Sequence, residues 1–309
     1  MSERAFTVDA SQAGLTVLQL LSDAYPTVPT AELTRAIRDR SAVVNEHPCG
    51  ANQTLNVGDE VAVEEDLLQA VEPERLPGLA ILYEEPELLV CAKPAGVGVE
   101  ASRNQWARPL WAGLLHHLRG TDLRPRLVHR LDAGTSGALL VAKTRAALRA
   151  LSAEFDARRV EKEYFALVRG VPPEPAGSID TPLESTKGQL QEARTHWELA
   201  ERFRRHAWLR VQIETGRTHQ IRRHLSGIGF PLAVDPHYGG GRALLLSELK
   251  AGYRPRQGRP ERPLLDRLSL HAARLSFTAP GGERVNVEAP LPRDLEVTLK
   301  QLRKYDSPR

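Results

Sequence analysis

The chain has 309 residues, 41% of them hydrophobic and 26% charged, with a net charge of +3. That length allows one large or two modest domains with a substantial core. There is no apolar run long enough to span a membrane and no basic-then-apolar leader, and only two cysteines, Cys49 and Cys91, which points to a reduced cytoplasmic protein rather than a membrane or disulfide-rich one.

In chain order, Leu15, Val17, Leu18 and Leu21 predict a short amphipathic helix, and Thr30 caps a second one carrying Leu33 and Ile37. Val43-Val44-Asn45 and Val61-Ala62-Val63 read as short strands, the second preceded by a Gly58-Asp59 turn. Residues 66–78 are acidic and proline-containing and read as a linker. Beyond it, Ile81-Leu82-Tyr83 and Leu88 to Cys91 flank Glu-Glu-Pro-Glu as a hairpin. The apolar run Ala138 to Ala142 is a buried strand. Thr144 caps a helix with Ala147, Leu148, Leu151 and Phe155 on one face. Leu209, Val211 and Ile213 alternate with Arg210, Gln212 and Glu214, as in a half-buried strand. Residues 239–268, rich in Gly, Arg and Pro, read as an inserted surface loop. Gly281-Gly282 joins two strands, and Pro292 to Lys304 forms a final helix. Strands reached by both hairpins and helices predict an α+β fold. The larger, C-terminal part should hold a mixed, largely antiparallel sheet flanked by helices, preceded by a small N-terminal α/β domain.

Charge is unevenly divided. The first 76 residues hold 5 Arg and no Lys against 13 acids, a net of −8, and the remainder holds 37 basic against 26 acidic residues, a net of +11. Polyanion binding is therefore expected mainly from the C-terminal part.

The most informative stretch is His129-Arg130-Leu131-Asp132-Ala133-Gly134-Thr135-Ser136-Gly137. It presents one carboxylate on a glycine-bent loop at the mouth of a buried strand, where rigid elements can hold a loop residue in a fixed pose. As a bare pattern it is equally a polar turn. It resembles the signature of the RluA-type RNA pseudouridine synthases. Five further segments follow that family's order: Lys93-Pro94-Ala95-Gly96; Lys162-Glu163-Tyr164-x-Ala166-x-Val168-x-Gly170; Gly216-Arg217-Thr218-His219-Gln220-Ile221-Arg222-x-His224; Asp235-x-x-Tyr238-Gly239; and Leu270-His271-Ala272. Together they span roughly residues 80–280. Residues 1–66 resemble the alpha-L RNA-binding module, although their acidity departs from what an RNA-binding face wants; Arg35, Arg38 and Arg40 offer a local basic edge. The resemblance implies a catalytic domain over 77–309.

The implied reaction breaks the bond from sugar to glycosidic nitrogen and rejoins uracil through carbon-5. It needs no redox step, phosphate energy or metal, so no cofactor is expected, and the chain has neither a phosphate loop nor a Cys-x-x-Cys pair. His219 and His224 are five residues apart, poorly placed to share a metal on one helix. A carboxylate can hold a reactive carbon covalently and release it, which nominates Asp132. Attack on the sugar, attack on the ring and abstraction of a sugar proton are all open at this point. A nearby cation would offset burial of the carboxylate; the resemblance nominates Arg217 as that ion-pair partner. It likewise implies that Tyr164 gives a flipped uracil a stacking face and a hydroxyl for proton exchange, that Ile213 lies beside the base, and that Arg130 braces the gap left by base extrusion. Thr218 is taken to open a short helix near whose start Arg217, Arg222 and Arg223 attract RNA phosphates, with Thr218, His219 and Arg222 counted as substrate-binding. His219 and His271 are equally explained as packing histidines. Thr135 and Ser136 fix the loop, and Lys93-Pro94 reads as a turn.

The leading expectation is an RNA pseudouridine synthase, acting as a monomer on large-subunit ribosomal RNA, with transfer RNA as the alternative target. A non-catalytic RNA-binding assembly factor would have lost Asp132. A glycoside or nucleoside hydrolase would use two carboxylates, where this motif supplies one.

Overall fold

The computed structural model describes residues 3–99, 109–254 and 260–308. The chain forms two compact units, residues 1–77 with 98–124, and residues 78–97 with 125–309. The second unit carries 33 Arg and Lys against 24 acids, a net of +9.

In the first unit, Thr16 starts helix α1 (Val17–Ala24) by a reciprocal cap. Its hydroxyl accepts from the Gln19 amide while the Gln19 side chain accepts from the Thr16 amide. Helix α2 (Thr30–Arg38) follows Pro29, so Thr30 is its first residue rather than its cap. Strands β1 (Glu3–Thr7), β2 (Ala42–Val44), β3 (His47–Pro48) and β4 (Glu60–Glu64) make an antiparallel sheet in the order β1-β4-β2-β3. Val17, Leu21, Leu33, Ile37, Val61 and Val63 share one core. The expected division at the 66–78 linker is incomplete. Helix α3 (Leu110–His117) belongs to this unit, with Val71 packed on Ala112 and Glu74 N–H donating to Ala112 C=O at 3.3 Å. The anticipated basic edge is largely neutralised, because Arg35 pairs with Glu32 at 2.5 Å and Arg38 with Asp39 at 3.1 Å.

The second unit is built on a ten-stranded sheet. Its strands are β5 (Ala80–Glu84), β6 (Leu88–Lys93), β7 (Arg126–Leu127), β8 (Ser136–Ala142), β9 (Glu161–Arg169), β10 (Ala176–Ile179), β13 (Thr195–Arg202), β14 (His206–Ile213), β15 (Leu270–Thr278) and β16 (Arg284–Glu288). The main path runs β10-β13-β14-β9-β15-β8-β6-β5, with β16 on β15 and β7 on β8. Strands β11 (Leu183–Glu184) and β12 (Leu190–Gln191) form a separate hairpin. Every pairing in the large sheet is antiparallel except β15 with β8, so the expected mixed, largely antiparallel α+β architecture holds.

Helix α4 (Arg145–Asp156) is capped by Thr144, whose hydroxyl accepts from the Ala147 amide, and buries Ala147 and Leu151 against β6, β8 and β15. Helix α5 is Gln220–Gly227 and α6 is Leu246–Leu249. Helix α7 (Arg293–Tyr305) places Leu295, Leu299 and Leu302 in a core with Leu244, Leu249 and Leu265. The 239–268 segment is thus no mere surface loop: three leucines spaced along it anchor it inside, and composition alone hid them. Residues 255–259 of that segment lie outside the described residues. Among the described residues no helix is long and apolar enough to cross a membrane.

Pairing aligns the sites. Gly137 on β8 and Tyr164 on β9 both lie opposite Ala272 of β15, and Tyr164 also lies opposite Val211 of β14. Residues opposite one another share a face, and Ile213, two beyond Val211, shares it too. The join is tight at Gly137, which has φ +118°; a Cβ there would sit 2.1 Å from Ala272 O. Gly137→Ala is expected to cost more than ~4 kcal/mol, an exceptional loss for one methyl group. Urea unfolding checks this; near-wild-type stability would show that the parallel join can part.

Candidate active site

Asp132 lies at the turn that feeds β8. The turn is closed by Thr135 N–H donating to Asp132 C=O at 3.0 Å, and Gly96 N–H donates to Ala133 C=O at 2.8 Å. Beneath it, Lys93 is almost fully buried. Its Nζ donates to the carbonyls of Pro94 (2.9 Å), Val97 (2.8 Å) and Ala133 (3.0 Å). Burial pulls Lys93 down to about 7, opposed by the Asp132 charge. Three acceptors match the three protons of the ammonium form. Lys93 therefore ties two loops together, a role the reading of Lys93-Pro94 as a turn missed.

His129 performs no chemistry in this arrangement. Its Nε2 accepts from the Leu140 amide at 3.0 Å, and its ring stacks on Phe155 at 4.8 Å. Desolvation pushes it down to about 3, so it is neutral at physiological pH and acts as a brace between β8 and α4. His271 is also structural: buried, with Nδ1 at 2.9 Å from Ser136 Oγ and Nε2 at 3.2 Å from Ala289 O. Ser136 thus fixes the strand that leaves the loop.

The cation beside Asp132 is Arg222. Its Nη1 donates to Asp132 Oδ2 at 3.1 Å, with 22% of the Asp132 side chain open to solvent. The sequence-based choice of Arg217 for this ion pair is corrected. Arg217 Nε donates instead to Glu192 C=O at 3.0 Å. The reason is where the helix starts. Gln220, not Thr218, is the first residue of α5, with His219 before it in the left-handed region at φ 55°. Arg217 therefore stands in the approach turn, and Arg222 lies within α5, buried. The expected phosphate contact for Arg222 is corrected by the same burial.

Gln220 secures that turn. Its Oε1 accepts from Thr215 Oγ1 (2.7 Å) and Arg217 N–H (3.0 Å), and its Nε2 donates to Arg194 O (2.9 Å) and Thr195 Oγ1 (3.0 Å). Every polar atom of this buried amide is used. His224 Nδ1 lies 2.9 Å from Thr195 Oγ1 and its Nε2 2.9 Å from Thr181 O, another packing role.

A second carboxylate, to which the sequence alone assigned no role, completes the centre. Asp235 is fully buried and binds Arg222 in a fork, Nε to Oδ2 at 2.7 Å and Nη2 to Oδ1 at 2.9 Å. The guanidinium also lies 4.9 Å from the Tyr238 ring centre, and Tyr238 Oη is 3.0 Å from His219 Nδ1. His219 Nε2 is 3.8 Å from Asp132 Oδ1, close but beyond hydrogen-bond range. Burial lowers His219, with the Asp132 charge opposing. The only sequence signal for Asp235 was its place in Asp235-x-x-Tyr238-Gly239.

Tyr164 is buried, and burial raises its phenol, with a further push from the Asp132 charge. It keeps its proton at neutral pH. Ile213 is half-buried at the end of β14, while Arg130 and Thr218 are exposed. A solvent-reachable carboxylate is thus paired with a buried guanidinium, and its charge reaches the protonated Tyr164. Asp235 is locked away from solvent, so the pair of carboxylates cannot flank a substrate bond as in a hydrolase.

The RNA pseudouridylate synthase family pattern matches residues 87–227. Ribosomal large subunit pseudouridine synthase C of Escherichia coli is 35% identical over 331 residues, covering 98% of this chain and 97% of that protein. Ribosomal large subunit pseudouridine synthase D of Neisseria meningitidis serogroup B is 34% identical over 315 residues, covering 96% and 81%. Among solved structures, Human RNA Pseudouridylate Synthase Domain Containing 4 superposes with a TM-score of 0.57 at 25% identity, covering 72% of this chain and 93% of that one.

Proposed function

Because the chain belongs to the RluA-type RNA pseudouridine synthases, isomerases that turn uridine into pseudouridine within RNA, we propose that Asp132 is the nucleophile and that the target uridine lies in large-subunit ribosomal RNA. The observation that carries the first part is the pairing of a partly open Asp132 with the buried Arg222 guanidinium. A carboxylate held by one N–H bond is oriented, yet keeps lone pairs to bond a carbon of the uridine. Tyr164, protonated and on the same sheet face as Ile213, meets the extruded base from one side. Its hydroxyl gives its proton to the ring nitrogen freed when the glycosidic bond breaks and takes the proton lost from carbon-5, so the phenol ends as it began. Arg130, exposed in the Asp132 loop, braces the gap left in the RNA, a role supported by its exposure beside Asp132.

The target rests on the names of the relatives, while the net charge of +9 in the second unit supports binding to RNA of either class. Position-resolved pseudouridine mapping of total RNA, with and without this protein, tests it. Loss of one or a few signals confined to large-subunit ribosomal RNA is expected; loss confined to transfer RNA would reject the assignment.

The two arginines of the third motif should separate in kinetics. Arg222→Ala is expected to reduce kcat by 10²-fold or more, as on removal of a site's fixed electrostatic partner. Arg217→Ala should change kcat by roughly threefold at most, because it leaves both carboxylates untouched and removes only a bond of ~1 kcal/mol to a backbone carbonyl. Single-turnover rates decide; a larger loss for Arg217→Ala would return that residue to the chemistry.

The acidic N-terminal unit is proposed to add selectivity rather than most of the affinity. The triple change of Arg35, Arg38 and Arg40 to Ala should alter the slope of log affinity against log salt by less than about 1, since two of the three already face acids. A fall of about 2 or more would identify α2 as a main phosphate clamp.

A further inference from the structure

We propose that Asp235 is a positioning residue for the isomerisation: it, rather than Asp132, is the principal counter-ion of Arg222, and it leaves Asp132 oriented by a single bond, with a charge that Arg222 does not cancel. This rests on the reading of Asp132 as the nucleophile. The guanidinium divides its five N–H groups unequally. Asp235, fully buried, takes the Nε and Nη2 edge in two short bonds of 2.7 and 2.9 Å. Asp132, partly open, receives one bond of 3.1 Å from Nη1. Of the two carboxylates that share this one guanidinium, Asp235 takes its two-bonded edge, so Arg222 leaves the charge of Asp132 largely uncancelled on the carboxylate that solvent and substrate can reach. The Lys93 ammonium beneath the loop is bonded to three backbone carbonyls and makes no bond to Asp132.

The surroundings hold this division in place. Asp235 Oδ1 also accepts from His237 N–H at 3.1 Å. The backbone closes around it, with Asp235 N–H donating to Gly241 O at 3.0 Å and Gly240 N–H donating to Asp235 O at 2.9 Å. A Cβ at Gly240 would sit 2.5 Å from Asp235 N, so this loop accepts no side chain there. Tyr238, from the same loop, lies against the guanidinium and is held by His219. Arg222 is thereby fixed on two sides before it meets Asp132. Without the Asp235 fork it could turn its two-pronged edge to Asp132 and cover the lone pairs the reaction needs.

Asp235→Asn tests this with little change of volume. The amide offers one acceptor where the carboxylate offered two and turns an N–H toward a donor. The expected result is a kcat lowered by tenfold or more, with KM for RNA within about twofold of wild type. Glu at this position should not restore the rate, because a longer arm cannot keep both bonds. The decisive comparison is made in an Arg222→Gln background, where either side chain at 235 can hydrogen-bond the glutamine and no charge is newly stranded. There Asp235→Asn should change kcat by less than threefold, because its route to Asp132 is already gone. A further tenfold loss in that background would overturn the proposal and make Asp235 a general structural residue, as would unaltered kcat for Asp235→Asn alone. Should the single variant fail to fold, the Arg222→Gln pair still decides. Asp132→Asn run alongside keeps the two ideas apart: its full activity would reject the nucleophile while leaving the coupling between Asp235 and Arg222 to be read by itself.

Discussion

Asp132→Asn is expected to lower pseudouridine formation by at least 10³-fold, to the limit of detection, while RNA affinity stays within about twofold. The substitution keeps size and leaves an amide oxygen to accept from Arg222 Nη1, so the loop, the turn at Thr135 and the Lys93 tether beneath it should survive. What is lost is the anionic oxygen that can bond carbon and later depart, and an amide is a poor substitute in both steps. Affinity should be spared because phosphate contacts supply most protein–RNA binding energy, and Asp132 makes none. The measurement pairs a single-turnover assay on the mapped RNA with a binding isotherm on the same RNA. An Asn variant that turns over at the normal rate would remove Asp132 from the mechanism. A variant that loses activity and affinity together would instead assign the residue to substrate binding.

How much of this was legible beforehand depended on how far apart in sequence the partners lie. Asp132 could be found from its own nine-residue loop. The fold class followed from local periods: alternation in 209–214, one apolar face in the Thr144-capped helix, and the hairpin at Glu-Glu-Pro-Glu. The choice of arginine could not be made that way. Arg217 and Arg222 sit in one motif, and only the start of α5 at Gln220 decides which of them points inward. That start depends on Gln220 reaching Arg194 and Thr195, about 25 residues earlier at the beginning of β13. Lys93 was underestimated for the same reason, since one of its three acceptors, Ala133, lies 40 residues away. Asp235 was marked only by its place in Asp235-x-x-Tyr238-Gly239, which says nothing of its role; a buried carboxylate becomes readable only with the cation it faces. The segment 98–124 belongs with the N-terminal unit because of contacts from Val71 and Glu74, which no periodicity encodes.

Tyr164→Phe is expected to lower kcat by 10²-fold or more and to leave KM for RNA nearly unchanged. The ring is buried in the row that joins β8, β15, β9 and β14, and Phe keeps that ring, its packing and its stacking face. Only the hydroxyl is removed. A positioned proton donor and acceptor contributes 10²–10⁴-fold to such steps, and here the hydroxyl is held in its neutral form. Burial and the Asp132 charge both raise the phenol above its ordinary value, so its proton should be lost only well above pH 10. Two outcomes follow. The wild-type rate should show no basic limb from this group up to pH 9. The Phe variant should show an isotope effect on loss of the carbon-5 hydrogen larger than wild type, because that transfer then limits turnover. Tyr164→Ala should cost more, since the base also loses its platform. If Phe and wild type turn over alike while Ala fails, the tyrosine serves by its ring alone, and the proton from carbon-5 must leave through another group at the Asp132 edge.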